Sequence, residues 1–272
     1  MMVFFGTMDP FILKLVLSFF VGGGYVVFST IMAEKFGSKI GGFIAGLPST
    51  VAFSLFFIAW SQGSEVAVAA APVVPAMVGA SILFVLVYIH LLRNNIFLAL
   101  FGSLLVWFLS GLILLWVKFD NIYLSILLFL AAWIFFMMAI KAIPTKSIAV
   151  PFSFGGMVLK FMMAGGAVAV AVFLSKALSP LWGGLFAGFP AVFLSTMLML
   201  TYLRPDFAIA VGKAIPLGTL ATVLYPLLVH LLYPSLGFIL GTIVAYGCSV
   251  VFAIIVQKPL SGWVMSWRGR QS

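Results

Sequence analysis

Nine stretches of the chain run apolar for at least 18 residues, at 11–32, 40–60, 66–92, 96–117, 122–142, 156–175, 181–202, 207–233 and 237–257. Each is long enough to cross a hydrocarbon layer about 30 Å thick as a helix of about 20 residues. Charged or Pro/Gly/Asn punctuation separates them, so the expectation is an all-α integral membrane protein with nine transmembrane helices. Hydrophobic residues make up 65% of the 272 and charged ones 7%, against about 25% charged in a soluble domain; no soluble domain fits between the spans. The tail from Lys258 is too short and polar for a tenth span. The opening MMVFFGTMDP lacks a basic segment and a small-residue cleavage site, so the first helix is expected to stay in the mature chain.

Fourteen basic residues against five acidic ones give a net charge of +9. They are scattered through loops and form no stripe suited to nucleic acid. Lys35, Lys39, Arg93, Lys141, Lys146, Arg204, Lys258, Arg268 and Arg270 fall on one side of the predicted topology, Lys118 and Lys176 on the other with Asp9, Glu65 and Asp120. The side richer in Lys and Arg is cytoplasmic by the positive-inside rule. A multi-pass cell (inner) membrane protein with the N-terminus outside and the C-terminus inside is expected. The lone Cys248 permits no internal disulfide or thiolate metal site and reads as a small core hydrophobe.

Gly41-Gly42-Phe43-Ile44-Ala45-Gly46-Leu47-Pro48 recurs as Gly183-Gly184-Leu185-Phe186-Ala187-Gly188-Phe189-Pro190, a GGxxAGxP pattern repeated 142 residues on. Upstream, Ile12-Leu13-Lys14 matches Val158-Leu159-Lys160; downstream, Glu65 matches Asp206, Pro75 matches Pro216 and His90 matches His230. Offsets between 140 and 146 persist across four predicted helices. Helices one to four therefore correspond to helices six to nine, and the fifth connects them. Displacement by an odd number of spans turns the second unit upside down, so the plan expected is a 4+1+4 inverted repeat, as in many secondary transporters. The units are 1–121, a connector 122–150, and 151–272.

The first unit, by Leu13-Lys14, Ala45-Gly46 and Pro48, resembles the GlpM-like family of small four-helix bacterial inner-membrane proteins. Each half corresponds to about one member of that family, so the resemblance implies a fused pair. It also implies a link to envelope polysaccharide production and fixes no substrate.

All five carboxylates lie in loops or at span ends, and no nucleophile elbow, HExxH or P-loop is present. Catalysis, a cofactor and a metal are accordingly not expected. Lys14 and Lys160 lie within the first turns of helices one and six, where a charge is costly. Either they snorkel to the headgroups, or as repeat equivalents they flank one anionic ligand. GGxxAGxP also has two readings. Its GxxxG spacing permits close helix packing, whereas Pro48 and Pro190 interrupt the helices and free the carbonyls of Ile44 and Phe186. Paired interruptions in both halves point to a transporter's binding site, with Gly46, Pro48, Gly188 and Pro190 at its centre. Ser49, Thr50, Ser54, Ser195 and Thr196 follow the breaks and either line a cavity or bond back to their own helices. His90 and His230 are either helix-end caps or proton-coupling groups. Of Trp60, Trp107, Trp182, Tyr202, Trp263 and Trp267, those near span ends are expected at the interfaces.

The function expected is a secondary transporter or flippase for a small anionic or phosphate-bearing solute or phospholipid-like substrate, alternating access between the repeats. An anion channel of the same plan and an accessory subunit of an envelope-synthesis complex are the rivals. The partners are the lipid bilayer and the substrate, without nucleic acid; a homodimer is possible.

Overall fold

The computed structural model describes residues 9–45, 47–140, 153–213 and 215–269, and the backbone alone at 33–45, 207, 217 and 257–269. Among the described residues every regular element is helical: α1 Pro10–Ala45, α2 Ser49–Gln62, α3 Ser64–Ala70, α4 Val74–Leu91, α5 Ile96–Trp116, α6 Ile122–Ala139, α7 Phe154–Ala177, α8 Pro180–Ala187, α9 Ala191–Leu203, α10 Pro205–Gly212 and α11 Ile215–Gly269. Among the described residues seven stretches, some joining two of these, are long and apolar enough to cross a membrane. The described part of the chain is therefore all-helical, and its long apolar helices are compatible with a multi-pass membrane protein.

Local chemistry sets the boundaries. Asn95 and Asn121 accept hydrogen bonds from Phe97 N and Leu124 N, and Ser153 from Gly156 N, capping α5, α6 and α7. A single 3-10 turn at Ala71–Val73 absorbs Pro72, so α3 and α4 continue as one span, Ser64–Leu91. Gly237, at φ 69°, divides α11 where residues 233–237 were expected to separate two spans.

One boundary differs from expectation. A loop was expected between 32 and 40, yet α1 continues for 36 residues to Ala45. That segment holds no proline, and a single glycine costs only about 1 kcal/mol without breaking a helix. In the second half Pro180 and the extended Ser179 do separate α7 from α8. The expected span 181–202 matches the apolar stretch Pro180–Leu203 and is interrupted, as the proline predicts, at Gly188–Pro190 between α8 and α9.

The α3–α4 span forms the centre, 89% buried over its most apolar window, against 28% for α5 and α6. Phe97, Phe101, Trp116 and Met138 project outward, as residues facing lipid do. Cys248 is exposed and so is no core hydrophobe. Trp107, only 2% exposed, is no interfacial anchor: its ring meets Phe186 and Phe189 edge-on.

Helices α1 and α7 pack with their residues in opposite order. Phe11 lies under the Lys176 ammonium, Phe19 against Gly165, and Gly23 against Phe161. Such an order is that of antiparallel helices. Phe19 and Gly165, like Gly22 and Val168, are also repeat equivalents in direct contact. A Cβ on Gly165 would collide with the Phe19 carbonyl, so glycine there sets how closely the backbones approach.

The connector α6 reaches both halves at matching places. Ser125 Oγ accepts from Ala76 N, beside Pro75, and Trp133 Nε1 donates to Pro216 O at 2.9 Å. Pro75 and Pro216 are equivalents.

Candidate functional site

Each GGxxAGxP ends in a tight turn centred on its proline. Pro48 has φ −74° and ψ 55°, Pro190 φ −77° and ψ 43°. Ser49 N donates to Leu47 O at 2.7 Å, and Ala191 N to Phe189 O at 2.8 Å. Both are inverse γ-turns, in which ring-fixed φ matches the central residue. A new helix starts at once: Ala52 N donates to Pro48 O and Leu194 N to Pro190 O. Neither start carries a side-chain cap. The amides of Thr50 and Val51, and of Val192 and Phe193, therefore have no acceptor within their own helices.

Those four residues line one cavity of about 40 Å³, with Val78, Ser81, Ala187, Gly188, Phe189, Pro190 and Thr222. Room for one or a few water-sized groups follows from that volume. Three lining pairs are repeat equivalents: Thr50 with Val192, Val51 with Phe193, and Ser81 with Thr222. The cavity thus draws matching positions from both halves. Ser81 Oγ donates to Gly188 O at 2.8 Å, satisfying a carbonyl at the second break. Gly188 is buried, and a Cβ there would come within 2.6 Å of Met77 Cβ; one on Gly184 would strike Ala70 O. Close packing and helix breakage are therefore both present in the second copy.

The expected site residues divide. Gly188 and Pro190 line the cavity, and Pro48 is buried at the other break. Gly46 lies outside the described residues. Ser49 is half-buried beside the cavity without lining it. Ser195, fully buried, turns its hydroxyl back to Val192 O at 3.2 Å. The Phe186 carbonyl, expected to be freed, accepts from Phe189 N at 3.0 Å. Ser81 and Thr222 were missed by sequence reasoning; the offset of 141 residues that pairs Pro75 with Pro216 would have paired them.

The lysines do not converge on this cavity. Lys14 Nζ donates to the Trp60 main-chain oxygen at 2.7 Å and lies over the Trp60 ring, serving the C-terminal end of α2. Lys160, 8% exposed, has its own partner. With Phe161 level with Gly23, the two lysines sit about 15 Å apart along the α1–α7 pair. Side chains lean toward their own helix N-termini, so on antiparallel helices these two diverge. The expectation of one shared anion between them is corrected accordingly.

Neither histidine lines the cavity. His90 is exposed and donates Nδ1–H to Leu86 O at 2.9 Å, within its own helix. His230 Nδ1 instead reaches Val68 O of the other half, at 3.4 Å.

No curated protein and no solved structure matches the chain. The likeness to GlpM-like proteins rests on the residues quoted for it alone. A single family profile matches twice, at residues 15–120 and 157–261, in register with the GGxxAGxP offset. The chain belongs to that family, DUF3147, proteins of unknown function, and carries its unit twice.

Proposed function

We propose that this protein is a secondary transporter of a small anionic or phosphate-bearing solute, built as nine crossings in a 4+1+4 inverted repeat of residues 1–121 and 151–272 around a connector, 122–150. The observation that carries this reading is the central cavity. Two equivalent helix starts, α2 and α9, open onto it with first-turn amides that lack intrahelical acceptors. Helix N-termini carry partial positive charge and bind anions through such amides. Broken helices meeting between inverted repeats are where transporters bind substrate. The antiparallel α1–α7 pair, with equivalents in contact, supports a two-fold axis in the membrane plane.

In this reading the anion is held by backbone amides and the hydroxyls of Thr50 and Thr222, while Ser81 spends its proton on Gly188 O; among the described residues no charged side chain lines the cavity. Weak, uncharged ligation suits release as well as capture. The N-terminus lies outside. With no P-loop in the sequence, the drive is an ion gradient, the membrane potential or the substrate's own gradient.

The test is reconstitution of the full chain in liposomes, with radiolabelled inorganic phosphate and fluorescent short-chain phosphatidylglycerol as probes. Saturable movement of either probe above protein-free liposomes is expected. Movement of neither overturns the reading, and a phosphate-carried single-channel current replaces it by a channel of the same plan.

A further inference from the structure

A second cavity, of about 260 Å³, opens at the end of α4, lined by Ile89, His90, Arg93, Ala139, Ile140, Ile209 and Lys213. Three cationic or protonatable side chains surround it, and none of the described lining residues is acidic. Its floor is apolar: Ile89 and Ile140 are buried. His90 spends Nδ1–H on Leu86 O, so Nε2 is the ring atom left for a ligand. Arg93 can offer a planar fork of donors and Lys213 a point charge.

Comparison with the opposite end sharpens its meaning. The equivalents of Ile89, His90, Arg93, Ile209 and Lys213 are Val229, His230, Tyr233, Val68 and Pro72. There both permanent charges are gone. Tyr233 is 1% exposed with its hydroxyl hydrogen-bonded to Thr242, and His230 is turned to Val68 O. Duplication thus left one end filled and neutral and the other open and basic. Arg93 belongs to the side read as cytoplasmic, where basic pockets between helices take lipid or solute phosphates.

We propose that the Arg93–Lys213–His90 cavity is a binding site for a phosphate group, separate from the central cavity. Arg93 grips two phosphate oxygens, Lys213 neutralises the remaining charge, and the isoleucines receive a short apolar or glycerol-like substituent. The volume lies just below the roughly 300 Å³ at which drug-sized pockets begin, which limits the occupant to a small phosphoester or one headgroup. A lipid headgroup and a free phosphate share this chemistry.

Purified full-length protein in phosphatidylcholine nanodiscs is titrated with radiolabelled inorganic phosphate, and detergent-solubilised protein from phosphatidylglycerol vesicles is weighed by native mass spectrometry for retained lipid. Arg93→Gln and Lys213→Gln, each eluting as the unaltered protein does on gel filtration, are expected to weaken phosphate binding roughly tenfold if the source is aqueous. They release phosphatidylglycerol instead if it is the headgroup. Lys118→Gln, on the opposite side, controls for net charge and should bind normally; because the central cavity is itself read as taking phosphate, the Arg93 and Lys213 variants are also compared in a Thr222→Trp background, where that cavity is filled and the same losses should persist, keeping this test apart from the transport reading. Binding of neither probe, equal binding by the Arg93 and Lys213 variants, or equal loss in Lys118→Gln overturns the proposal.

Discussion

The Ser81 hydroxyl donates to the carbonyl oxygen of Gly188 across 2.8 Å, joining the central helix of the first repeat to the helix break of the second. Both groups are buried in an apolar setting. The bond therefore holds the turn before Pro190 in place.

Ser81→Ala leaves a buried carbonyl unsatisfied and should cost about 1–3 kcal/mol, read as a lower midpoint of denaturation in detergent. Ser81→Thr should retain most of the stability because it keeps the donor. Equal losses in the two variants would assign the effect to packing.

Gly188→Ala places a methyl 2.6 Å from Met77 Cβ and should destabilise by about 1–3 kcal/mol through overpacking. Combined with Met77→Gly, which removes the clashing Cβ itself, the loss should be less than the sum of the single changes, since the second change makes room for the first. A double-mutant cycle checks it. Gly24→Ala, with open space around its Cβ position, is the matched control and should be near neutral.

Trp133→Phe removes the donor to Pro216 O while keeping a ring in place. It should lower the denaturation midpoint, and Ser125→Ala should do likewise through Ala76 N. If α6 ties the two proline bends together as one unit, limited proteolysis of either variant should cut near residues 213–216 faster than in the unaltered chain.

Much of this was legible in the sequence because it depends on local chemistry repeated at a fixed offset. Hydropathy marked the long apolar helices, and GGxxAGxP located both breaks, since proline fixes φ and removes a donor wherever it falls. The Lys14 partner was not legible: that Trp60 O lies within 2.7 Å depends on how α1 packs on α2. The same holds for Lys160, for the α1–α7 register sets the lysine separation and no pattern within either helix encodes it. Ser81 and Thr222 were overlooked because a lone hydroxyl in an apolar helix usually bonds back to its own backbone, as Ser195 does.

Lys14→Met and Lys160→Met should act independently, being about 15 Å apart along the helix pair. Their effects on stability and on phosphate movement should add within about 0.3–0.5 kcal/mol. Strong non-additivity in transport would restore a shared ligand.

Alternating access at the paired breaks is most directly tested by thiol accessibility at the central cavity. In a Cys248→Ser background, Thr50→Cys is treated with a membrane-impermeant thiol reagent on right-side-out and on inside-out vesicles. Labelling from both sides is predicted, slowed from each by saturating phosphate. Labelling from neither side, or from one side alone under all conditions, would contradict a cavity that opens alternately to the two faces.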